Sequence, residues 1–262
     1  MVQFRYLPIQ TGERATVGES ALSRRNVLRR VGVRVGLTLA GAALAGCSSA
    51  KTTPTAVSAD SAALRPDGDP LALLKDGNKR FVAGVMQHPN QDAARRKVIA
   101  AGQDPDAVVF CCVDSRISPV IVFDRGLGDL FEIRVAAQDY DGLIEGSVEY
   151  GPFAQRTPLI VVMGHQHCGA VTATVNALES GKMPAANIDK IVTSLQPAYI
   201  AAKAANPTAD RDALIDATVR QQTALAVAAL NADPLLKAGV DAKKLTIAGA
   251  YFSLDTGVVS WL

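Results

Sequence analysis

The sequence predicts an α/β domain. A central, mainly parallel β-sheet is flanked by helices, with a helical arm at the N-terminal side and a hairpin closing the C-terminus. Three observations carry this. The apolar runs AVVFCC (107–112) and PLIVVMG (158–164) are too continuous for half-exposed strands and read as strands buried on both faces. Helical patterns alternate with strand candidates over residues 69–262, which favours crossover connections between parallel strands. With 262 residues, 48% of them hydrophobic, the chain can bury one sizeable core.

The elements follow in order. Asp69-Pro70 is an N-cap and first-turn pair, and DPLALLKDGNKRFVAG sets Leu71, Leu74, Asn78, Phe81 and Val82 near one helical face before Gly84 ends it. AARRKVIAAG (93–102) is a weaker second helix. AVVFCC is the first buried strand, and DLFEIRVAA (129–137) alternates as a second. A helix runs through LIEGSVEYG, PLIVVMG is the third strand, and CGAVTATVNALESG continues from it as a helix. Ile188, Ile191, Val192, Leu195 and Tyr199 mark another amphipathic helix, 208–231 a long Ala-rich one, and Asp233-Pro234 the start of a short one. LTIAGAYF (245–252) is a strand that Asp255-Thr256-Gly257 turns into VVSWL, the closing hairpin.

Residues 1–68 are read separately. The formal net charge is +2, yet residues 1–50 hold seven arginines against Glu13 and Glu19, so the body is mildly acidic, which argues against a nucleic-acid surface. Ser23-Arg24-Arg25-Asn26-Val27-Leu28-Arg29 resembles a twin-arginine export signal. The uncharged run from Val35 to Gly46 suits a signal-peptide core and is too short to span a bilayer. Leu44-Ala45-Gly46-Cys47 resembles a lipobox, with Cys47 lipidated as the mature N-terminus. The expectation is a signal peptide over 1–46, a flexible tether over 47–68 and a folded domain over 69–262, exported and lipid-anchored on the outer face of the cell membrane.

In parallel α/β sheets ligands bind beyond the carboxyl ends of the strands. The segments leaving those ends, CCVDSR and GHQHCG, hold three of the four cysteines and two of the three histidines. Neighbouring side chains on an extended chain diverge, so one of Cys111 and Cys112 is core and the other functional. Cys112, nearer the strand end and two residues before Asp114, is the functional choice, and Cys111 packs as a small apolar residue. His165 and Cys168 converge from a helix start. Two sulfurs and one nitrogen make a Cys₂His set, used by catalytic zinc with an open fourth position, which Asp114 either fills or sits beside. His167 points elsewhere, to the surface or the site mouth, and His88 is a solvated residue. A Cys112–Cys168 disulfide stays open on spacing alone, although twin-arginine export resembles a route for folded proteins that have already acquired metal.

Cys112-x-Asp114-x-Arg116 followed by His165-x-x-Cys168 resembles the zinc signature of the β-class carbonic anhydrases, and GNKRFVAG (77–84), FDRGLGDLFEIRVA (123–136), GSVEYG (146–151) and GAYFSLDTGVV (249–259) extend the likeness over roughly 69–262. The resemblance implies a β-carbonic anhydrase-like fold, one Zn²⁺ per subunit on Cys112, His165 and Cys168, a homodimer or higher assembly of dimers, and reversible hydration of CO₂ to bicarbonate and a proton. It implies an Asp114–Arg116 pair in which the carboxylate orients the nucleophile and the guanidinium keeps that carboxylate ionised and off the metal. Two departures stand out. Members of the family often read Arg-Val-Ala-Gly-Asn where this chain has Arg134-Val135-Ala136-Ala137-Gln138, and some carry a bicarbonate-binding glutamine in the loop that here reads Asp124-Arg125-Gly126. A hydrolase of carbonyl sulfide or carbon disulfide, or a non-catalytic zinc or bicarbonate-binding lipoprotein, is the alternative on the same scaffold. A thiol redox enzyme is disfavoured because no Cys-x-x-Cys pair is present.

Overall fold

In the computed structural model of the chain, which describes Arg65 and residues 67–262, the first apolar run becomes β1 (Ala107–Cys111), buried at every position. β2 (Leu130–Arg134) and β3 (Leu159–His165) lie parallel on either side of it, β4 (Thr246–Phe252) runs parallel to β3, and β5 (Val259–Trp261) closes the sheet antiparallel to β4. The order is β2-β1-β3-β4-β5. The predicted leader, Cys47 and the tether up to residue 64 lie outside the described residues.

Period-two alternation sorts the central strands into two cores. Val109, Cys111, Val161 and Met163 face one side, and Val108, Phe110, Ile160 and Val162 the other. On the first side pack α1 (Pro70–Ala83), α5 (Gly169–Ser180) and α6 (Ile188–Ala205), through Leu74, Val171, Val175 and Leu195. On the second pack α4 (Gly142–Gln155) and α8 (Pro234–Asp241), through Val148 and Leu236. The long α7 (Arg211–Ala232) serves both, giving Leu214 and Val219 to one core and Ala226 and Leu230 to the other. The edge strand β2 is only partly buried, which matches its alternating sequence.

Helix α1 starts as its sequence requires: Asp69 caps Ala72 N–H at 3.1 Å, Pro70 fills the first turn, and Gly84 ends the helix at φ 68°. Asn78 donates to Val122 O and Gly257 O and accepts from Val259 N, tying α1 to the C-terminal hairpin. The predicted helix over 93–102 is trimmed to α2 (Ala93–Ile99), and the structure adds one short element, α3 (Pro119–Val122), whose four residues show no periodicity. The helix through 143–151 extends to Gln155 across Pro152. The second strand stops at Arg134 instead of running to Ala137, because Ala136–Gln138 form a 3-10 turn. Since β1 is followed in the chain by a neighbour on one side and then by β3 on the other, the sheet diverges at the carboxyl ends of β1 and β3. That crevice is where a site belongs.

Candidate metal centre

Three side chains meet there. Ligand atoms of Cys112, just past β1, His165, the last residue of β3, and Cys168, the N-cap of α5, all lie within 4.8 Å of one another, and all three residues are buried. The sulfurs of Cys112 and Cys168 stand 4.0 Å apart and both thiols are free, far beyond the ~2 Å of a disulfide bond. Cys111 stays outside the cluster, fully buried, and burial pushes its thiol up to about 12. Alternation is not what separates the two cysteines. Cys111 pairs with Met163, two residues before His165, and so shares the face of the histidine. Cys112 reaches the cluster because the strand has ended.

The electrostatics suit a cation. Cys112 is held well below the ordinary thiol range, first by the S–H that Cys168 directs at it, against the cost of burial, and then by His165 and the Ala137 N–H at 3.2 Å. Cys168 is pushed up, because the same bond keeps the proton on its sulfur. A cation between the sulfurs would displace that proton. His165 Nδ1 sits 2.9 Å from Gln166 O, an acceptor, so Nδ1 carries the hydrogen. Its Nε2 is buried and has no hydrogen-bond partner among the described residues. An orphaned imidazole lone pair beside two thiols is the arrangement zinc takes, and these residues fit it.

Asp114 is not in the cluster. Its carboxylate receives Arg116 Nε at 2.9 Å, Arg116 Nη2 at 2.7 Å and the Arg116 backbone N–H at 2.9 Å. The guanidinium holds the Asp114 carboxyl down at about 2, against the pull of burial. Arg116 also donates to His167 O at 3.1 Å, joining the loop after β1 to the loop after β3. His167 is exposed, at φ 52°, and lines with Arg116 a cavity of about 650 Å³ walled by Phe81, Phe252 and Leu254. His88 is exposed and contributes its backbone N–H to Asp124.

The sequence did not reveal three further supports. Arg134, ending β2, donates to Cys112 O and Asp114 O at 3.0 and 2.6 Å and fixes the backbone of the first loop. Ala137 acts through its amide, which leaves no mark on residue type. Gln166 supplies the carbonyl that selects the His165 tautomer. The loop at Asp124-Arg125-Gly126 is a structural joint. Asp124 accepts from Arg80 and from the Gln87 and His88 amides, and Arg125 pairs with buried Asp106 and Asp129.

The comparisons agree with this geometry. The family described as carbonic anhydrase matches residues 107–259. Carbonic anhydrase 2 of Mycobacterium tuberculosis is 38% identical over 198 residues, covering 73% of this chain and 92% of that protein. The carbonic anhydrase of Mycolicibacterium smegmatis is 46% identical over 138 residues, covering 52% of this chain and 67% of that protein. Among solved structures, a β-carbonic anhydrase of Aspergillus fumigatus superposes with a TM-score of 0.59 at 22% identity, over 74% of this chain and 91% of that one. A tetrameric β-carbonic anhydrase of Sordaria macrospora gives 0.57 at 21% identity, over 62% and 83%. With its parallel sheet, its Cys–His–Cys cluster at the β1–β3 crevice and relatives at this identity, the chain belongs to the β-class carbonic anhydrases.

Proposed function

We propose that this protein hydrates CO₂ reversibly to bicarbonate and a proton with one zinc ion held by Cys112, His165 and Cys168. The observation that carries the proposal is the Nε2 of His165, unpartnered among the described residues, beside two free thiols. When bound, zinc supplies a hydroxide nucleophile near neutral pH, as known for carbonic anhydrase sites with three histidines, where water's pKa falls to about 7. Two thiolates donate more charge than two imidazoles, so activity is expected to rise above neutrality.

The remaining work falls to the chain. Asp114 Oδ1 is taken twice by Arg116 and Oδ2 once, which leaves Oδ2 a lone pair for the proton of the attacking hydroxide. A carboxylate that only accepts takes that proton in a hydrogen bond and leaves the hydroxide's lone pairs turned toward carbon. Arg116 keeps the Asp114 carboxylate turned from the sulfurs, so that Cys112, His165 and Cys168 alone would hold the ion. Arg134 and the Ala137 amide hold Cys112 from behind.

Exposed Leu143 and Phe153 on α4, at 81% and 72%, support a homodimer or an assembly of dimers. No helix among the described residues is long and apolar enough to cross a membrane. We infer attachment through lipidated Cys47 after twin-arginine export. Cys47→Ser is expected to release the protein from membranes and Arg24→Lys/Arg25→Lys to hold it in the cytoplasm, and unchanged membrane-bound export in both would refute this. The function itself is tested by metal analysis beside stopped-flow CO₂ hydration. One zinc per chain with hydration rising from about pH 7 to 9 is the expected result, and a zinc-loaded protein without hydration would overturn it.

A further inference from the structure

Only Gln166 and His167 separate two members of the cluster, so the peptides of this short link set both His165 and Cys168. The hydrogen-bond partner of His165 Nδ1 is the carbonyl of Gln166 itself, 2.9 Å away. What fixes that carbonyl therefore fixes the tautomer and the tilt of the ring. Gln166 is gripped from one direction. Its backbone N–H donates to Phe252 O at 2.9 Å, extending the β3–β4 ladder by a residue. Its side-chain Nε2 donates to Asp255 Oδ2 at 2.7 Å, and its Oε1 accepts from Ser253 Oγ and Asp255 N, both at 3.1 Å. The carboxamide thus has both ends engaged by the connection between β4 and β5.

That connection is itself anchored. Ser253 N bonds Val258 O and Gly257 N bonds Ser253 O, while Asn78 of α1 takes Gly257 O. The path from α1 through the C-terminal turn to the imidazole is continuous in hydrogen bonds.

We propose that Gln166 is a positioning residue for the metal centre. Its carboxamide, clamped by Ser253 and Asp255, holds the peptide whose carbonyl orients His165 and leaves Nε2 free for the ion. The inference rests on the zinc reading above. Partners of this outer kind typically change metal affinity by about 10- to 100-fold.

The test uses three variants of the full chain loaded with zinc, with release to a chromogenic chelator as the readout and cobalt-substituted absorption as the second. Gln166→Ala is expected to release zinc roughly 10- to 100-fold faster than wild type. Gln166→Glu is expected to behave likewise, because it sets one carboxylate against another at Asp255. Gln166→Glu combined with Asp255→Asn restores all three bonds, reversing the donor only in the one between the two side chains, and is expected to return both the release rate and the cobalt bands to wild type. A purely structural role for the residue would lower the melting temperature of the single variants and leave zinc release unchanged. Single variants that hold zinc as wild type does, or a double variant that stays as leaky as the singles, would overturn the inference while the zinc site stands. A wild-type chain that takes up no zinc would overturn both.

Discussion

Replacing Arg116 with alanine separates a site that merely holds metal from one that turns over. The change removes the 2.9 and 2.7 Å bonds to Asp114 and the 3.1 Å bond to His167 O, and leaves only the residue 116 amide on Oδ1. A charge-assisted hydrogen bond contributes about 1.5–3 kcal/mol when shielded from water. The Arg116 side chain is 50% exposed, so the two bonds together are worth about 2–3 kcal/mol. At about 1.4 kcal/mol per decade, turnover should fall roughly 30- to 150-fold. Charge is not what is lost. Without the guanidinium the Asp114 carboxyl returns toward 3.8 and is still ionised at neutral pH, so the deficit should be nearly constant from about pH 7 to 9. The loss is of direction, since a freed carboxylate can swing toward the sulfurs and compete with water. Stopped-flow hydration on protein of measured zinc content reads both quantities. Arg116→Ala with full zinc and near wild-type hydration would refute the role of the pair, and Asp114→Asn, equally zinc-loaded, should be at least as impaired.

Cys112→Ala, His165→Ala and Cys168→Ala should each abolish zinc binding by metal analysis, whereas Cys111→Ala should retain zinc and cost about 1 kcal/mol in urea unfolding as a small buried truncation. Asp106 is pushed up to about 6, mainly by burial against the pull of Arg125, so its contribution to stability is complete below 3.8 and is lost as pH rises through 6. Asp106→Asn should therefore flatten the melting temperature between about pH 4 and 7, and an unchanged slope would count against it. Gly77→Ala would set a methyl 1.8 Å from Phe123 O, a backbone atom that cannot turn aside, so it should cost about 3 kcal/mol or more in urea unfolding.

The fold was legible where burial writes a period. β1 and β3 announce themselves as unbroken apolar runs because both their faces are covered, and α1 by an Asp-Pro start and a glycine stop. Elements held by few residues were not. α3 has four residues and a proline, and the turn at Ala136–Gln138 interrupts a run that alternates like a strand, so neither leaves a periodic trace. The Cys112–His165–Cys168 cluster was legible because metal chemistry demands particular side chains at particular strand ends. Alternation served only to keep Cys111 and Cys112 from sharing a site, and the choice of Cys112 came from its place nearer the strand end. Cys111 shares a face with His165 by register, so it is the end of the strand that brings Cys112 to the cluster.

The two departures from the family pattern show why some of the site leaves no mark in residue type. Ala137 and Gln138 stand at φ 53° and 43°, the left-handed region where glycine and asparagine sit at least cost. The backbone therefore takes a shape that glycine and asparagine would adopt more cheaply, at a strain of about 1–2 kcal/mol for each residue. The turn that carries this strain is tied down on both sides. Ala137 delivers its N–H to Cys112 Sγ, and Gln138, buried, donates to Thr223 Oγ1 at 3.1 Å. An amide can serve the thiolate from any side chain that tolerates the position, so a change of residue there does not signal a change of site. At Asp124 the opposite holds. The Asp124 carboxylate accepts from Arg80, Gln87 N and His88 N, and as an acceptor-only group it offers an anion no donor. There the side chain itself has been put to structural use, and any contact to bicarbonate must come from another part of the crevice.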